Sequence, residues 1–342
     1  MSKLEEALKD INKKHKEDIA FKGLERTEFE RIPFTSIRAN YCLYGGIPRN
    51  MITEFCGEEG SGKTTSALDI CNNAQKIFKK ENKNQKVVYI DAENTLDEKW
   101  AEKLGVDIDD LILIRPQQQT TEQILDIAKT LIETGECGLM VIDSVATLVP
   151  QQIYEESFEK KSYGGNAVAF TRFVNLIGPL LHKYKTTLLL INQVRQDINN
   201  PYNQYITTGG QGLKHACSVR LMFRKDGYIN EEGKQVANSF ENPSGHLVRM
   251  AVLKTKVCRH DRKLGYYPLR YVDGIDWVSD LIDCGIKFGL INQSGAWFYL
   301  FNEEGEQIGK YQGVSKLIAE LKANNELSEQ LLYNLEKHIK TA

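Results

Sequence analysis

The stretch Gly57-Glu-Glu-Gly-Ser-Gly-Lys-Thr64 holds the residue types and spacing with the most specific chemistry in the chain. It fits the pattern G-x-x-x-x-G-K-[ST], in which a glycine loop turns its backbone N–H groups toward phosphate oxygens at the start of a helix. Lys63 would reach the β- and γ-phosphates of a nucleoside triphosphate, and the Thr64 hydroxyl would bind Mg2+. Gly57, Glu58, Glu59, Gly60, Ser61 and Gly62 would surround the phosphates. An ordinary glycine-rich turn is the competing explanation, and the flanks argue against it. Met51-Ile-Thr-Glu-Phe-Cys56 is an apolar run of strand type, and residues 65–78 place Leu68, Cys71 and Phe78 at helical spacing.

Further strand-like runs end in the polar groups that such a site needs. Gly138-Leu-Met-Val-Ile-Asp-Ser144 delivers Asp143, a carboxylate placed to hold Mg2+ together with Thr64, usually through a water. Alone, an acid at a strand end is often only a helix cap. Val87-Val-Tyr-Ile-Asp-Ala-Glu93 delivers Glu93, the best candidate to orient or deprotonate an attacking water, with a plain surface carboxylate as the alternative. Thr187-Leu-Leu-Leu-Ile-Asn-Gln193 delivers an amide, Gln193, that can bond a terminal phosphate and report its loss to the loop that follows.

That loop, residues 194–210, is far longer than an ordinary connector of ~2–6 residues. Arg195, Ile198, Tyr202 and Tyr205 could stack on bases or wedge between them. Gly209 and Gly210 would open a helix beginning at Gln211, with free N–H groups suited to a backbone phosphate. A nucleic-acid loop and a mobile lid both fit these residues. A second polar loop, residues 151–165, carries Lys160, Lys161, Tyr163 and Gly164. The basic run from Lys254 to Lys263 has the composition of a solvated face. Lys254 and Lys256, two residues apart at a strand end, point the same way and would also suit a phosphate clamp.

The elements that must position these groups alternate. Apolar runs at 87–90, 111–114, 139–142, 187–191, 219–223 and 247–253 are nearly continuous, as in strands covered on both faces. Helical patterns at 122–133 and 167–184 lie between them, the second with Phe170, Phe173, Val174, Ile177 and Leu181 on one face. This is the texture of an α/β domain with a mostly parallel central sheet, its chemistry at the carboxyl ends of the strands. Residues 1–30 hold a helix, read over 3–20, with a narrow stripe (Leu4, Leu8, Ile11, His15, Ile19) that suits an oligomerisation contact. Residues 31–265 form the core, and 266–342 have amphipathic helices and a hairpin-like piece from Gly295 to Gly305, enough for a small C-terminal α+β domain.

With 342 residues, 41% hydrophobic and 26% charged, the composition is that of a globular protein, and no apolar run approaches the ~20 residues of a membrane span. The N-terminus lacks an apolar signal core, so a cytoplasmic location is expected. The seven cysteines show no metal spacing and read as small buried hydrophobes. A net charge of −2 gives no global basic footprint, so any nucleic-acid contact must come from local charge.

Taken together, the chain resembles the bacterial RecA recombinase family. The matching stretches are Gly57–Thr65, Ile90-Asp-Ala-Glu93, Lys103-Leu-Gly-Val-Asp107, Val141-Ile-Asp-Ser-Val-Ala146, Ile191-Asn-Gln-Val-Arg195, Thr207-Thr-Gly-Gly210, Lys254-Thr-Lys256 and Gly295-Ala-Trp297, in family order over almost the whole chain. The resemblance implies a RecA-type phosphate-loop ATPase core and an ATP-dependent protein that forms helical filaments on single-stranded DNA and exchanges strands with homologous duplex. Loader or single-strand-binding proteins would be partners. It implies ATP and Mg2+ held by Lys63, Thr64, Thr65 and Asp143, adenine contacts from Asp97, Trp100 and Tyr271, and Gln193 as γ-phosphate sensor. Lys254 and Lys256 would act on the neighbouring subunit's ATP. DNA would be contacted by Tyr163, Gly164, Arg195, Ile198, Tyr202, Gly209, Gly210 and Gln211, with Lys161 and Arg172 standing in for first-loop arginines that the family often uses and this chain lacks. This chain departs from the family at Val168 and Asn175, where arginines are common, and at His215, where the family has an interface aromatic. A ring-shaped helicase with the same core and a nucleotide-gated scaffold without strand exchange are the alternative functions.

Overall fold

The computed structural model describes residues 2–16, 29–155, 165–196, 205–302 and 304–340. The chain divides into two compact units, Met1–Glu30 and Arg31–Ala342. The first holds α1 (Lys3–His15), opened by a capping box in which Ser2 accepts from the Glu5 N–H and Glu5 bonds back to the Ser2 N–H. Lys16, in the left-handed region at φ 54°, caps the helix, and Ile19 of the predicted stripe lies outside the described residues. Leu4 and Ile11 of the predicted stripe are 72% and 40% exposed.

The second unit opens with β1 (Arg31–Ile32), α2 (Ile37–Cys42) and β2 (Ile47–Pro48), the two short strands pairing antiparallel. The core then runs β3 (Ile52–Gly57), α3 (Lys63–Lys80), β4 (Lys86–Asp91), α4 (Glu98–Lys103), β5 (Leu111–Ile114), α5 (Thr121–Glu133) and β6 (Cys137–Asp143). It continues with α6 (Gln151–Glu155), α7 (Gly165–Tyr184), β7 (Thr187–Gln196), β8 (Tyr205–Thr207), α8 (Gly210–Ala216), β9 (Val219–Ile229), β10 (Gln235–Val236), β11 (Gly245–Thr255), β12 (Leu264–Arg270) and β13 (Gly274–Ile275). Last come α9 (Trp277–Lys287), β14 (Ile291–Ser294), β15 (Trp297–Phe301), β16 (Gln307–Gln312), α10 (Val314–Ala323) and α11 (Asn325–Lys340).

The main sheet is ordered β13-β12-β11-β9-β3-β7-β6-β4-β5. From β9 to β5 every pairing is parallel, and β11, β12 and β13 add an antiparallel wing. Burial on both faces explains the unbroken apolar runs. Val141, Leu189 and Ile191 pack with Leu68, Cys71 and Phe78 of α3 on one face. Met140, Ile142, Leu188 and Leu190 pack with Ile124 and Ile132 of α5 and Phe170, Val174 and Ile177 of α7 on the other. A third cluster joins α9, α10 and α11 to a three-stranded antiparallel sheet through Leu281, Phe298, Leu300, Leu321 and Leu335. The β14–β15 turn needs Gly295, whose φ is 58°. The pieces β12 and β13, which follow residue 265 or straddle it, pair into the main sheet rather than with β14–β16. The other departure is the predicted structureless loop 194–210, whose ends zip together: Val194, Arg195 and Gln196 pair with Thr207, Ile206 and Tyr205.

Two buried carboxylates clamp the entry into α2. Asp69 of α3 accepts from the Thr35 N–H at 2.8 Å, and Asp280 of α9 accepts from Ser36 Oγ at 2.8 Å and the Arg38 N–H at 3.1 Å. Burial pushes both carboxyls up from 3.8 to about 6. Between those values the folded chain keeps a proton that the unfolded chain has lost, so stability falls as pH rises through the window and stays lowered above it. For Asp280 a shift of this size corresponds to about 2–3 kcal/mol. Asp280→Asn is expected to remove that part of the slope in urea unfolding between pH 3.8 and 6; an unchanged slope would contradict it.

Candidate functional site

The parallel register sets the site. Gly57 lies beside Gln193 and Phe223, while Asp143 lies beside Asp91 and Ile191, so the carboxyl ends of β3, β6 and β4 form one edge with the neighbouring parts of β7 and β9. Glycine is required where the loop begins: a Cβ on Gly57 would stand 2.3 Å from the Phe223 carbonyl oxygen. Gly62, at φ 89°, is the cap residue of α3 and supplies no side-chain cap bond, which leaves the first N–H groups of the helix for a ligand.

Gly60, Ser61, Gly62, Lys63, Thr64 and Thr65 line a cavity of about 350 Å³, closed by Trp100, His246, Leu269 and Tyr271. A polar floor with aromatic walls suits a nucleotide. Lys63 Nζ donates to the Glu58 carbonyl at 2.7 Å, as does Ser61 Oγ at 2.7 Å, so the loop holds its own lysine. Burial lowers the Lys63 pKa, partly offset by Asp143 and Glu93. The Glu58 and Glu59 side chains are exposed.

Thr64 Oγ1 donates to Asp143 Oδ2 at 3.0 Å, and the buried Tyr89 hydroxyl donates to the same oxygen at 2.7 Å. Burial raises the Asp143 carboxyl above its usual range, with Glu93 and Asp91 adding to the push and the Tyr89 and Thr64 bonds opposing it. A divalent cation would reverse that cost. Among the described residues no group of His, Cys, Asp or Glu forms an all-protein metal cage. One carboxylate and one hydroxyl fit Mg2+, which keeps waters and borrows phosphate oxygens. Glu93 Oε1 accepts from Ser144 Oγ at 2.7 Å and from Gln193 Nε2 at 3.1 Å, so the candidate base and the candidate sensor touch.

Other predicted residues stand apart. Asp97 caps α4, accepting from the Lys99 and Trp100 N–H groups. Lys254 sits near the end of β11, level with Arg220 and Glu54 rather than with Gly57, and Lys256 follows just past the strand. Lys254 Nζ donates to the Lys214 and His215 carbonyls at 2.7 and 2.9 Å, and Lys256 Nζ to that of His215 at 2.8 Å, so both cations close the carboxyl end of α8. Gly209 and Gly210, both at positive φ, open that helix with Gln211 exposed beside them. Arg172 on α7 and Arg195 at the end of β7 are exposed. Lys161, Tyr163, Gly164, Ile198 and Tyr202 lie outside the described residues.

Three features escape a motif search. Glu54, wholly buried in β3, pairs with Arg220 of β9 and accepts from Asn192 Nδ2 at 2.8 Å, while Asn192 also donates to the Thr208 carbonyl. This network ties the returning end of the long loop to the phosphate-loop strand; an acid inside an apolar run was its only sequence signal. Glu54→Ala would strand the Arg220 charge and is expected to cost about 3 kcal/mol in denaturant unfolding, against a loss below about 1 kcal/mol if water can solvate the arginine. The second feature is a cavity of about 580 Å³ near Tyr205 and Gln211, lined by Lys214, Arg220, Arg224 and Arg249. The third is His246, which had no signal at all.

The comparisons with known proteins agree in order and extent. Residues 2–276 match the RecA N-terminal domain model and residues 279–340 the RecA C-terminal domain model. The chain belongs to the RecA family. Protein RecA of Aquifex pyrophilus is 34% identical over 322 residues, covering 93% of this chain and 87% of the relative. Protein RecA of Fusobacterium nucleatum is 36% identical over 315 residues (92% and 76%), and that of Acidothermus cellulolyticus 36% over 341 residues (98% and 91%). The chain is accordingly an ATP-dependent recombination protein with DNA-dependent ATPase activity. All seven cysteines are free, and burial pushes the Cys56, Cys137, Cys217 and Cys284 thiols up to about 12, as expected of small hydrophobes. No helix among the described residues is long and apolar enough to cross a membrane.

Proposed function

We propose that this RecA-family chain binds each ATP between two subunits of a helical filament on single-stranded DNA, and that hydrolysis there releases DNA after strand exchange. The observation that carries the reading is the contact of Glu93 with Gln193 at the root of the strand that becomes the long loop. Glu93 receives both of its bonds on Oε1, so Oε2 is the atom to take the proton of the attacking water. Gln193 can trade Glu93 for a phosphate oxygen. That exchange pulls on β7 and, through its pairing, on β8, Gly209 and α8.

Lys63, the α3 N-terminus and Thr65 would hold the phosphates, and Trp100 and Tyr271 the base, with Asp97 bracing the turn that carries Trp100. Thr64 and Asp143 would hold Mg2+, which neutralises charge developing on the phosphate oxygens. Among the described residues that line the cavity, Lys63 is the sole lysine or arginine. Lys254 and Lys256 are suited to supply a further cation to a neighbour, since both already gather at a helix end. The cationic cavity beside Gln211 suits a phosphate backbone. The exposed stripe of α1 suits packing between subunits. A cytoplasmic setting suits the free thiols, and loader or single-strand-binding proteins would be partners.

A joint-molecule assay tests the reading. Pairing of homologous but not heterologous DNA, dependent on ATP and accompanied by turnover that rises with single-stranded DNA, is expected. Filaments and turnover without homologous pairing would overturn it.

A further inference from the structure

His246 lies on β11 with 4% of its surface exposed, and neither Nδ1 nor Nε2 has a hydrogen-bond partner. Buried polar atoms are nearly always paired, so an imidazole with two orphan nitrogens needs an explanation. Its position supplies one, because it closes the nucleotide cavity. Its ring centroid is 5.6 Å from that of Tyr271, and a Cβ on Gly62 would meet Nε2 at 3.6 Å. The histidine thus stands between the α3 N-terminus, where phosphates would bind, and the aromatic wall of Tyr271. Burial, with Lys225 assisting, pushes its pKa down to about 4, so the ring is neutral near pH 7 and offers one N–H and one bare lone pair. That lone pair is a poor match for a phosphate, which already has Lys63 and the loop N–H groups. It suits a group that both donates and accepts.

We propose that His246 recognises the nucleoside part of the bound nucleotide, its ring nitrogens trading hydrogen bonds with a sugar hydroxyl or with the edge of the base. The inference rests on the cavity being the ATP site. A buried polar group that loses its partner makes a site reject the analogue lacking that partner, so His246 sets nucleotide specificity rather than overall affinity alone.

The test uses the full chain and calorimetric or fluorescence titration with ADP, 2′-deoxyADP, 3′-deoxyADP and IDP, which share one diphosphate. The parent protein is expected to bind one analogue about tenfold more weakly than ADP, the worth of one hydrogen bond. His246→Phe keeps the shape and removes both nitrogens. It should bind ADP about tenfold more weakly and lose the discrimination against that analogue alone. Loss at a deoxy sugar assigns the partner to a hydroxyl, and loss at IDP assigns it to the base. His246→Gln, which keeps a donor and an acceptor, should restore part of the preference, and it serves as the second variant if the phenylalanine misfolds. Equal weakening toward all four ligands, or none, would show that His246 only packs. If the parent binds none of them, the nucleotide assignment of the cavity falls and the proposal with it; if it binds ADP but His246→Phe keeps the full discrimination, only the proposal falls.

Discussion

Glu93→Gln is expected to lower DNA-stimulated ATP turnover by about 10²–10⁴-fold, the usual worth of a positioned general base. The substitution is close to isosteric. The glutamine carbonyl oxygen can still accept from Ser144 Oγ and Gln193 Nε2, the bonds that Oε1 of Glu93 accepts now. What disappears is a carboxylate able to take a proton from water. Nucleotide affinity should therefore persist, and ATP-dependent DNA binding should become longer-lived because hydrolysis no longer releases it. Single-turnover hydrolysis and DNA anisotropy with ATP check the two halves. Turnover within a few-fold of the parent would remove Glu93 from the chemistry.

The loss of Lys254 and Lys256 is expected to be as large for a different reason. In one subunit the pair only closes the carboxyl end of α8, a contact worth roughly 0.3–1 kcal/mol for a cation at a helix terminus. A cation delivered to the γ-phosphate by a neighbour is worth about 10³–10⁵-fold in turnover. The double replacement Lys254→Ala, Lys256→Ala should then leave thermal unfolding and ADP binding by the isolated chain nearly unchanged while abolishing turnover on DNA. Partial burial beside Lys256 already holds the Lys254 pKa below the usual lysine value, so this ammonium is poised to gain from an anionic partner. A loss of turnover that merely tracks a loss of stability would mean that the pair serves the helix and nothing else.

How much of this was legible depends on what each residue faces. Strands buried on both faces announce themselves, because Val141 and Ile142 must both be apolar when one packs on α3 and the other on α7. The phosphate loop and the acids and amide at strand ends are legible because each demands a residue type at a fixed place. The zipped ends of the long loop were not, since the pairing of Val194 with Thr207 depends on backbone partners that no side-chain pattern encodes. Glu54 and Arg220 sit on neighbouring strands far apart in sequence, and only the parallel register makes them a pair. His246 is a single histidine in an apolar run, and its meaning comes entirely from the cavity it closes.

The central claim is that a working ATP site is assembled from two subunits, and mixing two inactive variants tests it most directly. Glu93→Gln subunits carry intact Lys254 and Lys256; Lys254→Ala, Lys256→Ala subunits carry an intact Glu93. On single-stranded DNA, with co-assembly verified by energy transfer between labelled subunits, each variant alone should be silent. The mixture should hydrolyse ATP well above the sum of the two, because some interfaces pair a whole Glu93 with whole lysines. Turnover that stays at that sum in verified mixed filaments would contradict the shared site.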